Sequence, residues 1–382
     1  MVSRFFVPIT AVLSSLTVLF LAASPPTLAQ DFASNLVIES TGRATTVTVV
    51  EAWAGAPDLT YALVPRGTPV PAPPPGATQY AAVITTPVRR VVSLATTNIP
   101  HLRDLGALST LVAVDTGDYV YDSQVLERIA SGQIRQVSSG GAIDLERVIA
   151  LQPDVVLITA FGPDDSVMSR LRQAGIPTMV IADWREADPL GRAEWLRLFG
   201  ALLDRNDQAQ QLLQDRAQRY LTLRDRIARE VAAAGGRRPT VMANGPWQGQ
   251  WPVPAGESYM ARLFADAGGR YLWEDTTGSG SLFLDMEVVL ARAAQADFWI
   301  NLNFDWFTLE DVRRADGRLT AFAPFRNGSM YHHIRRVRPS GANDFWESGL
   351  SRPDVILQDL AWILHGPGVA GTSQPTYYSR IR

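Results

Sequence analysis

A chain of 382 residues, 46% hydrophobic and 19% charged, has the balance of an ordinary globular protein and is long enough for two hydrophobic cores. A net charge of -3 leaves no electrostatic footprint for a nucleic acid. There is no cysteine and no lysine, all 35 basic residues being arginine. Disulfides, thiol catalysis, thiolate metal sites, a phosphate-loop lysine, a Schiff-base lysine and a serine–lysine dyad are thereby excluded.

The first segment has the layout of an export signal: Arg4, an apolar run across 12–23, and the small-residue site Thr27-Leu28-Ala29 ahead of Gln30. The run is short for a bilayer, and Pro25-Pro26 interrupts it. Residues 1–29 are read as a signal peptide cleaved near Ala29, which predicts a periplasmic protein. With no cysteine at the cut, lipid attachment there is not expected. Residues 30–87 form an N-terminal β extension: β-rich runs at 36–39 and 45–50 flank Ser40-Thr41-Gly42 as a hairpin, and 61–64 adds a strand. Pro69-Val70-Pro71-Ala72-Pro73-Pro74-Pro75-Gly76 follows as a stiff proline-rich spacer.

From residue 88 strand and helix alternate. Strands are predicted at 90–94, 111–114, 155–159 and 178–182, with helices at 99–105, 145–151 and 167–174 that end at Gly106, Pro153 and Gly175. Continuously apolar strands between helices mean a mostly parallel sheet covered on both faces, here a first lobe over 88–189. One long helical stretch over 190–234, within a connecting segment 190–236, carries Trp195, Leu198, Leu202, Leu212, Tyr220, Leu223 and Ile227 near helical spacing. Alternation resumes over 237–382, with strands at 240–243 and 298–302, helices at 259–267, 287–294 and 309–314, and a last helix at 355–364. The fold class is α/β: two Rossmann-like lobes with mostly parallel sheets joined by one long helix, plus the β extension. The cleft between such lobes is the default ligand site.

One pattern occurs twice. Asp144-Leu145-Glu146 opens a helix that runs into Pro153-Asp154-Val155-Val156, and Asp285-Met286-Glu287 opens one that runs into Ala296-Asp297-Phe298-Trp299. In each copy the aspartate can cap the helix, and the glutamate sits in the first turn, where the macrodipole favours negative charge.

Arg90-Val91-Val92-Ser93-Leu94, the segment from Asp144 through Leu151-Gln152-Pro153 to Val156, and Asp285-Met286-Glu287-Val288-Val289-Leu290-Ala291-Arg292 resemble the periplasmic substrate-binding proteins of iron-siderophore and cobalamin ABC importers. The likeness covers roughly 88–365, with two more residues between Glu287 and Asp297 than between Glu146 and Asp154. It implies two lobes bridged by a single rigid helix, the place of residues 190–234 here. It also implies that Glu146 and Glu287 dock on arginines of the importer's membrane subunits, one per lobe, a task suited to bidentate arginine–carboxylate pairs. Without the resemblance, both glutamates are explained by their helix starts.

The same likeness directs attention to aromatic and basic groups just past strand ends. The ligand-binding candidates are Thr96, Thr97, Tyr119, Phe161, Trp184, Arg185, Trp247, Trp251, Trp306, Tyr331, His332 and Arg335, with Trp184, Trp247, Trp306 and Tyr331 foremost. Tryptophan and tyrosine offer broad rigid surfaces for a flat or greasy chelate, and arginine offers charge for an anionic one; ordinary packing is the competing explanation for each. Only four histidines exist, so no protein-held metal centre and no cofactor is expected. Adjacent His332 and His333 would face opposite ways on a strand, and His332 is the candidate to complete the coordination of a bound cobalt or haem iron.

The expected function is that of a monomer that performs no chemistry, captures a metal chelate and delivers it to an ABC importer. A ferric siderophore comes first, then cobalamin, then haem. An exported hydrolase is the alternative from another class, although no Gly-x-Ser-x-Gly or His-Glu-x-x-His motif occurs, Gly140-Gly141 lacks dinucleotide spacing, and Asp164-Asp165 reads as a solvated loop. An envelope sensor or scaffold that grips a partner through residues 30–87 is the other.

Overall fold

The computed structural model describes residues 32–42, 44–139, 141–162 and 165–382. The signal-peptide expectation, Gly140 and Asp164 lie outside them.

The chain opens with a four-stranded sheet of β1 (Leu36–Thr41), β2 (Ala44–Val49), β3 (Leu59–Pro65) and β4 (Ala82–Thr86) in the order β1-β2-β3-β4. The first three strands are an antiparallel meander, whereas β4 lies parallel to β3. A parallel neighbour requires a crossover. The proline-rich run supplies it, pinned where the Tyr80 hydroxyl donates to the Ala72 carbonyl at 2.8 Å. It is thus an internal connection of the sheet rather than a spacer leading out of it, and β4 is a strand that the sequence reading passed over.

The first lobe comprises β5 (Val91–Ser93), α1 (Ile99–Asp104), β6 (Leu111–Val114), α2 (Ser123–Ala130), β7 (Arg135–Gln136), a small hairpin of β8 (Ser138–Ser139) and β9 (Ala142–Ile143), α3 (Leu145–Ala150), β10 (Val155–Ile158), α4 (Ser166–Gln173) and β11 (Thr178–Val180). Its sheet runs β11-β10-β5-β6-β7, all parallel. Every residue of β5 and β10 is buried, as their unbroken apolar sequence requires for strands covered on both faces. The opening sheet shares this core: Val47, Tyr61, Leu63 and Ile84 belong to one cluster with Val91, Leu157, Met179 and Phe199. The Tyr61 hydroxyl accepts the Val180 amide at 3.1 Å, covering the edge strand β11.

The helical stretch is divided. α5 (Pro189–Glu194) and α6 (Leu196–Leu203) are separated at Trp195, and α7 (Asn206–Ala233) begins after Asp204, which is left-handed at φ 57°. The single helix expected over 190–234 is therefore corrected to three. Six of the eight residues of α6 are buried, and a Cβ on Gly200 would lie 2.7 Å from that of Ala209, so α6 lies tight against the start of α7. A short helix apolar except for Arg197 belongs inside a lobe; only α7, amphipathic and about 42 Å long at 1.5 Å per residue, can span. It packs on α6 of the first lobe and on helices of the second.

The second lobe follows as β12 (Thr240–Ala243), β13 (Trp251–Pro254), α8 (Tyr259–Asp266), β14 (Arg270–Tyr271), β15 (Ser281–Leu284), α9 (Met286–Ala293), β16 (Phe298–Ile300), α10 (Leu309–Ala315), α11 (Ala323–Asn327), β17 (Met330–His332), α12 (Asp344–Glu347), α13 (Pro353–His365), α14 (Pro367–Ala370) and β18 (Ser379–Arg380). Its sheet runs β14-β12-β16-β17-β18, parallel except for β18, the returning tail. β13 and β15 form a separate antiparallel ribbon. The molecule has two α/β lobes with mainly parallel sheets.

The twofold sequence pattern has a structural counterpart. The Asp154 carboxylate accepts the amides of Arg89 and Arg90 at 2.6 and 3.0 Å, fixing the start of β5 beside β10. Asp297 accepts the amide and hydroxyl of Thr240 at 2.8 and 2.9 Å, fixing β12 beside β16. The caps differ: Asp144 accepts the Arg147 amide at 3.1 Å, whereas the Asp285 side chain makes no cap bond, contrary to the expectation for both copies.

Candidate functional site

In open parallel sheets, ligands bind beyond the carboxyl ends of the strands. Exposed large aromatics gather there in both lobes: Tyr119 (64% exposed) after β6, Phe161 (73%) after β10, Trp247 (52%) after β12 and Phe304 (69%) after β16. They are paired. Phe161 lies 5.3 Å from Trp184, and Trp247 lies 5.8 Å from Phe304, ring centre to ring centre. Water-facing aromatic pairs at strand ends cost solvation and are suited to covering an apolar face.

Two cavities lie at these ends. One, of about 340 Å³, is walled by Ser93, Thr96, Thr97, Asp115, Tyr119 and Arg192 of the first lobe and closed by Trp346 and Leu350, which follow β17. The other, of about 310 Å³, belongs to the second lobe, with Trp247, Trp251, Asn303, Asp305, Trp306 and Arg318 on its walls. Each cavity has one arginine, and both are engaged by carboxylates: Arg192 with Asp183 at 3.0 Å, and Arg318 with Asp316 at 2.7 Å and Glu287 at 3.5 Å. Asp115 and Asp305 also face the cavities. The described walls are aromatic and carboxylate-bearing, without an arginine free of a carboxylate.

The sequence candidates separate by burial. Thr96, Thr97, Tyr119 and Trp247 line cavities, and Phe161 with Trp184 forms an aromatic pair. Trp251 is fully buried, its indole N–H donating to the Ala243 carbonyl at 3.0 Å and its ring packed on Trp299 and Phe322, so it serves the core and floors its cavity. Trp306 is 3% exposed against Trp299; Gly245 admits it, since a Cβ there would meet the indole at 2.8 Å. Arg185 is held by Glu51 at 2.9 Å, and exposed Arg335 donates to Gln374 at 2.6 Å. Half-buried Tyr331 packs towards Phe298.

His332 is buried, and neither ring nitrogen has a partner among the described residues. Burial, with His333 beside it, pushes its pKa down to about 2. The two histidines do not face opposite ways: β17 ends at His332, and the rings come within 4.4 Å. His333 stacks on Phe345 at 4.2 Å. Among the described residues no group of three or more His, Cys, Asp or Glu is placed to hold a metal.

A feature the sequence did not disclose joins the lobes. α12 is anchored to the second lobe through Phe345, which contacts His333, Tyr377 and Tyr378. On its other side the Glu347 carboxylate accepts the amides of Tyr121 and Asp122 in the first lobe at 2.7 and 2.9 Å. Arg338 donates to the Tyr121 carbonyl at 2.7 Å, and the guanidiniums of Arg336 and Arg338 lie over the Tyr121 ring at 5.2 and 4.9 Å. Glu347 is 1% exposed; burial raises its pKa to about 7 against the pull of the two amides, and Asp122 and Asp344 add to the rise. A carboxyl raised in this way contributes stability that is complete below its ordinary value and is lost as the pH climbs through 7. Glu347→Gln should therefore flatten the change in thermal unfolding temperature between about pH 5 and 7. An unaltered slope would remove Glu347 as its source.

Glu146 and Glu287 both lie exposed in the first turns of α3 and α9, and Glu287 pairs with Arg318.

Two parallel-sheet lobes carried by one long helix, with aromatic groups gathered at the strand ends, define a two-lobed solute-binding protein. The sequence profile of the periplasmic binding protein family matches residues 91–314, and the chain belongs to that family. The family serves transport as substrate-binding proteins, not as enzymes, and is periplasmic or extracellular. The chain is 25% identical over 299 residues to an uncharacterised lipoprotein of Methanocaldococcus jannaschii, covering 76% of this chain and 68% of that one. It is 28% identical over 269 residues to the vitamin B12-binding protein of Yersinia pestis, covering 64% and 89%. Among solved structures, a periplasmic haem-binding protein of Pseudomonas aeruginosa superposes with a TM-score of 0.53 at 22% identity, covering 77% and 98%. A possible iron-binding protein of Staphylococcus epidermidis does so with 0.54 at 16%, covering 73% and 99%. These likenesses establish the fold.

Proposed function

We propose that this protein captures a metal chelate of low net charge between its lobes and presents it to an ABC importer, with a corrinoid ahead of a ferric siderophore and haem. The observation that carries this reading is the lining: exposed aromatic pairs, three carboxylates of which Asp316 holds Arg318, and arginines already engaged by acids. A polyanionic ferric catecholate or a haem with two propionates would require uncommitted cations. A corrinoid offers a broad apolar face to aromatic rings, and its peripheral amides donate hydrogen bonds that carboxylates accept. This reverses the order expected from sequence, where arginines near the strand ends counted as available charge. The protein acts after export, freed by cleavage near Ala29 and carrying no lipid at that cut. It holds no cofactor of its own and docks as a monomer through Glu146 and Glu287.

The test is quenching of tryptophan fluorescence, with absorbance correction, by cyanocobalamin, a ferric hydroxamate, a ferric catecholate and haemin. Saturable 1:1 quenching by cyanocobalamin at submicromolar concentration is expected, with the catecholate and haemin much weaker. Trp247→Ala should weaken it by about 2 kcal/mol, roughly thirtyfold in Kd. Tighter binding of an anionic chelate would overturn the low-charge reading.

A further inference from the structure

Away from the strand ends, α7 and the start of α13 enclose a groove of about 390 Å³ whose walls include Arg219, Thr222, Arg226, Arg352, Asp354 and Gln358. Arg219 and Arg226 are seven residues apart on α7, two helical turns, and so share a face. Asp354 is the one carboxylate among the lining residues, and two arginines divide it: Arg352 binds it through two bonds of 2.9 Å, and Arg219 reaches it at 2.7 Å. Arg226 has no acid partner among the described residues; one of its terminal nitrogens donates to the Ala370 carbonyl at 2.9 Å, and its Nε is buried without a partner among them. Three guanidiniums and one carboxylate leave an excess of two positive charges. α13 starts at this groove without a side-chain cap, and the acid in its first turn is Asp354 itself, already counted among these charges. Burial pushes Asp354 up, yet the two arginines overcome it and hold the group below its ordinary value, so this acid stays ionised and committed to them.

We infer that this groove is an oxyanion site, separate from the chelate cavities, that takes a phosphate group between Arg219, Arg226 and Arg352. Planar guanidiniums present paired N–H donors in the geometry that phosphate oxygens accept. Thr222 adds a hydroxyl, and Gln358, already turned to the Ala370 carbonyl at 3.1 Å, helps fix the wall beside Arg226. The inference does not depend on which chelate the protein carries. The phosphate can be that of a soluble compound or of a lipid headgroup, and the two sources have distinct tests.

Calorimetric titration of the exported protein with pyrophosphate at constant ionic strength is expected to give a single site of submillimolar Kd. Arg226→Gln and, separately, the more exposed Arg219→Gln should each weaken it at least tenfold with unchanged circular dichroism, while Trp247→Ala leaves it intact. Co-sedimentation with vesicles of phosphatidylglycerol, lost in the same two arginine variants, would assign the phosphate to lipid. Pyrophosphate binding without vesicle binding would assign it to a soluble compound. Absence of both, binding indifferent to both arginines, or binding lost in Trp247→Ala would overturn the site. The last variant separates its failure from that of the chelate reading.

Discussion

Replacing Glu186 with alanine is expected to destabilise the protein by about 2–4 kcal/mol, chiefly from the buried Trp195 indole stranded at roughly 1–3 kcal/mol, with the part-buried donors of Ser34 and Asn35 adding less. Glu186 is 1% exposed and accepts from the Ser34 amide at 2.8 Å, the Ser34 hydroxyl at 3.0 Å, the Asn35 amide at 3.0 Å and the Trp195 indole at 3.0 Å. Beside it, Glu194 accepts the amides of Phe32 and Ala33 at 2.6 and 2.7 Å. Together the two carboxylates hold the backbone of residues 32–35 against α5. The approach is so close that a Cβ on Gly191 would lie 2.6 Å from the Phe32 carbonyl. Truncation of Glu186 leaves the fully buried Trp195 indole without its acceptor inside the first-lobe core, whereas the donors of exposed Ser34 can turn to water. Urea unfolding measures the loss, with Glu186→Gln retaining part of the stability because an amide oxygen still accepts. A loss below about 1 kcal/mol would mean that water replaces the carboxylate and that the clasp contributes little.

Reversing the charge at both Glu146 and Glu287 should abolish chelate uptake while leaving chelate affinity unchanged. Both groups are exposed in first helical turns, one on each lobe, so their removal disturbs no buried partner. Docking through two separated carboxylates sets orientation, and losing both removes register as well as attraction. The two positions are unequal. Glu287 faces Arg318 at 3.5 Å, and Asp316 holds that arginine from the other side at 2.7 Å, so part of its charge is answered within the chain. Glu146→Arg alone should therefore cost more uptake than Glu287→Arg alone. Uptake of labelled chelate by cells expressing each variant, set beside fluorescence titration of the same proteins, gives the comparison. Parental uptake in the double variant would sink the docking assignment.

How far the sequence could be read depended on whether a feature was local. The buried strands Val91–Ser93 and Val155–Ile158 and the twin aspartates 154 and 297 are visible because apolar runs and a repeated motif are written along the chain. The break at Asp204 was also legible in principle, since Leu196–Leu203 is apolar except for Arg197 and Asp204-Arg205-Asn206 is turn chemistry. Tryptophans, by contrast, look alike in sequence. Trp247 and Trp251 are four residues apart, yet only Trp251 is turned into the core, by a ribbon whose partner strand lies beyond residue 280. The Glu347 contact was not legible at all, because it joins positions 226 residues apart and no motif marks either end. The aspartate caps taught a narrower lesson: one sequence pattern yields a cap at Asp144 and none at Asp285.

The clasp on residues 32–35 also bears on the order in which the chain can fold. Phe32 meets its acceptor 162 residues later, and the Tyr61 hydroxyl meets Val180 across 119. A chain emerging from its N-terminus must therefore hold the opening sheet, whose strands pair only with one another, unpacked until α5 has appeared, with the apolar inner face of β3 waiting for a core that is not yet made. Contacts of such long range slow folding, and a waiting sheet edge is a target for binding by other chains. The first lobe thus closes on its own beginning last, and a holding chaperone would be needed most over residues 32–86.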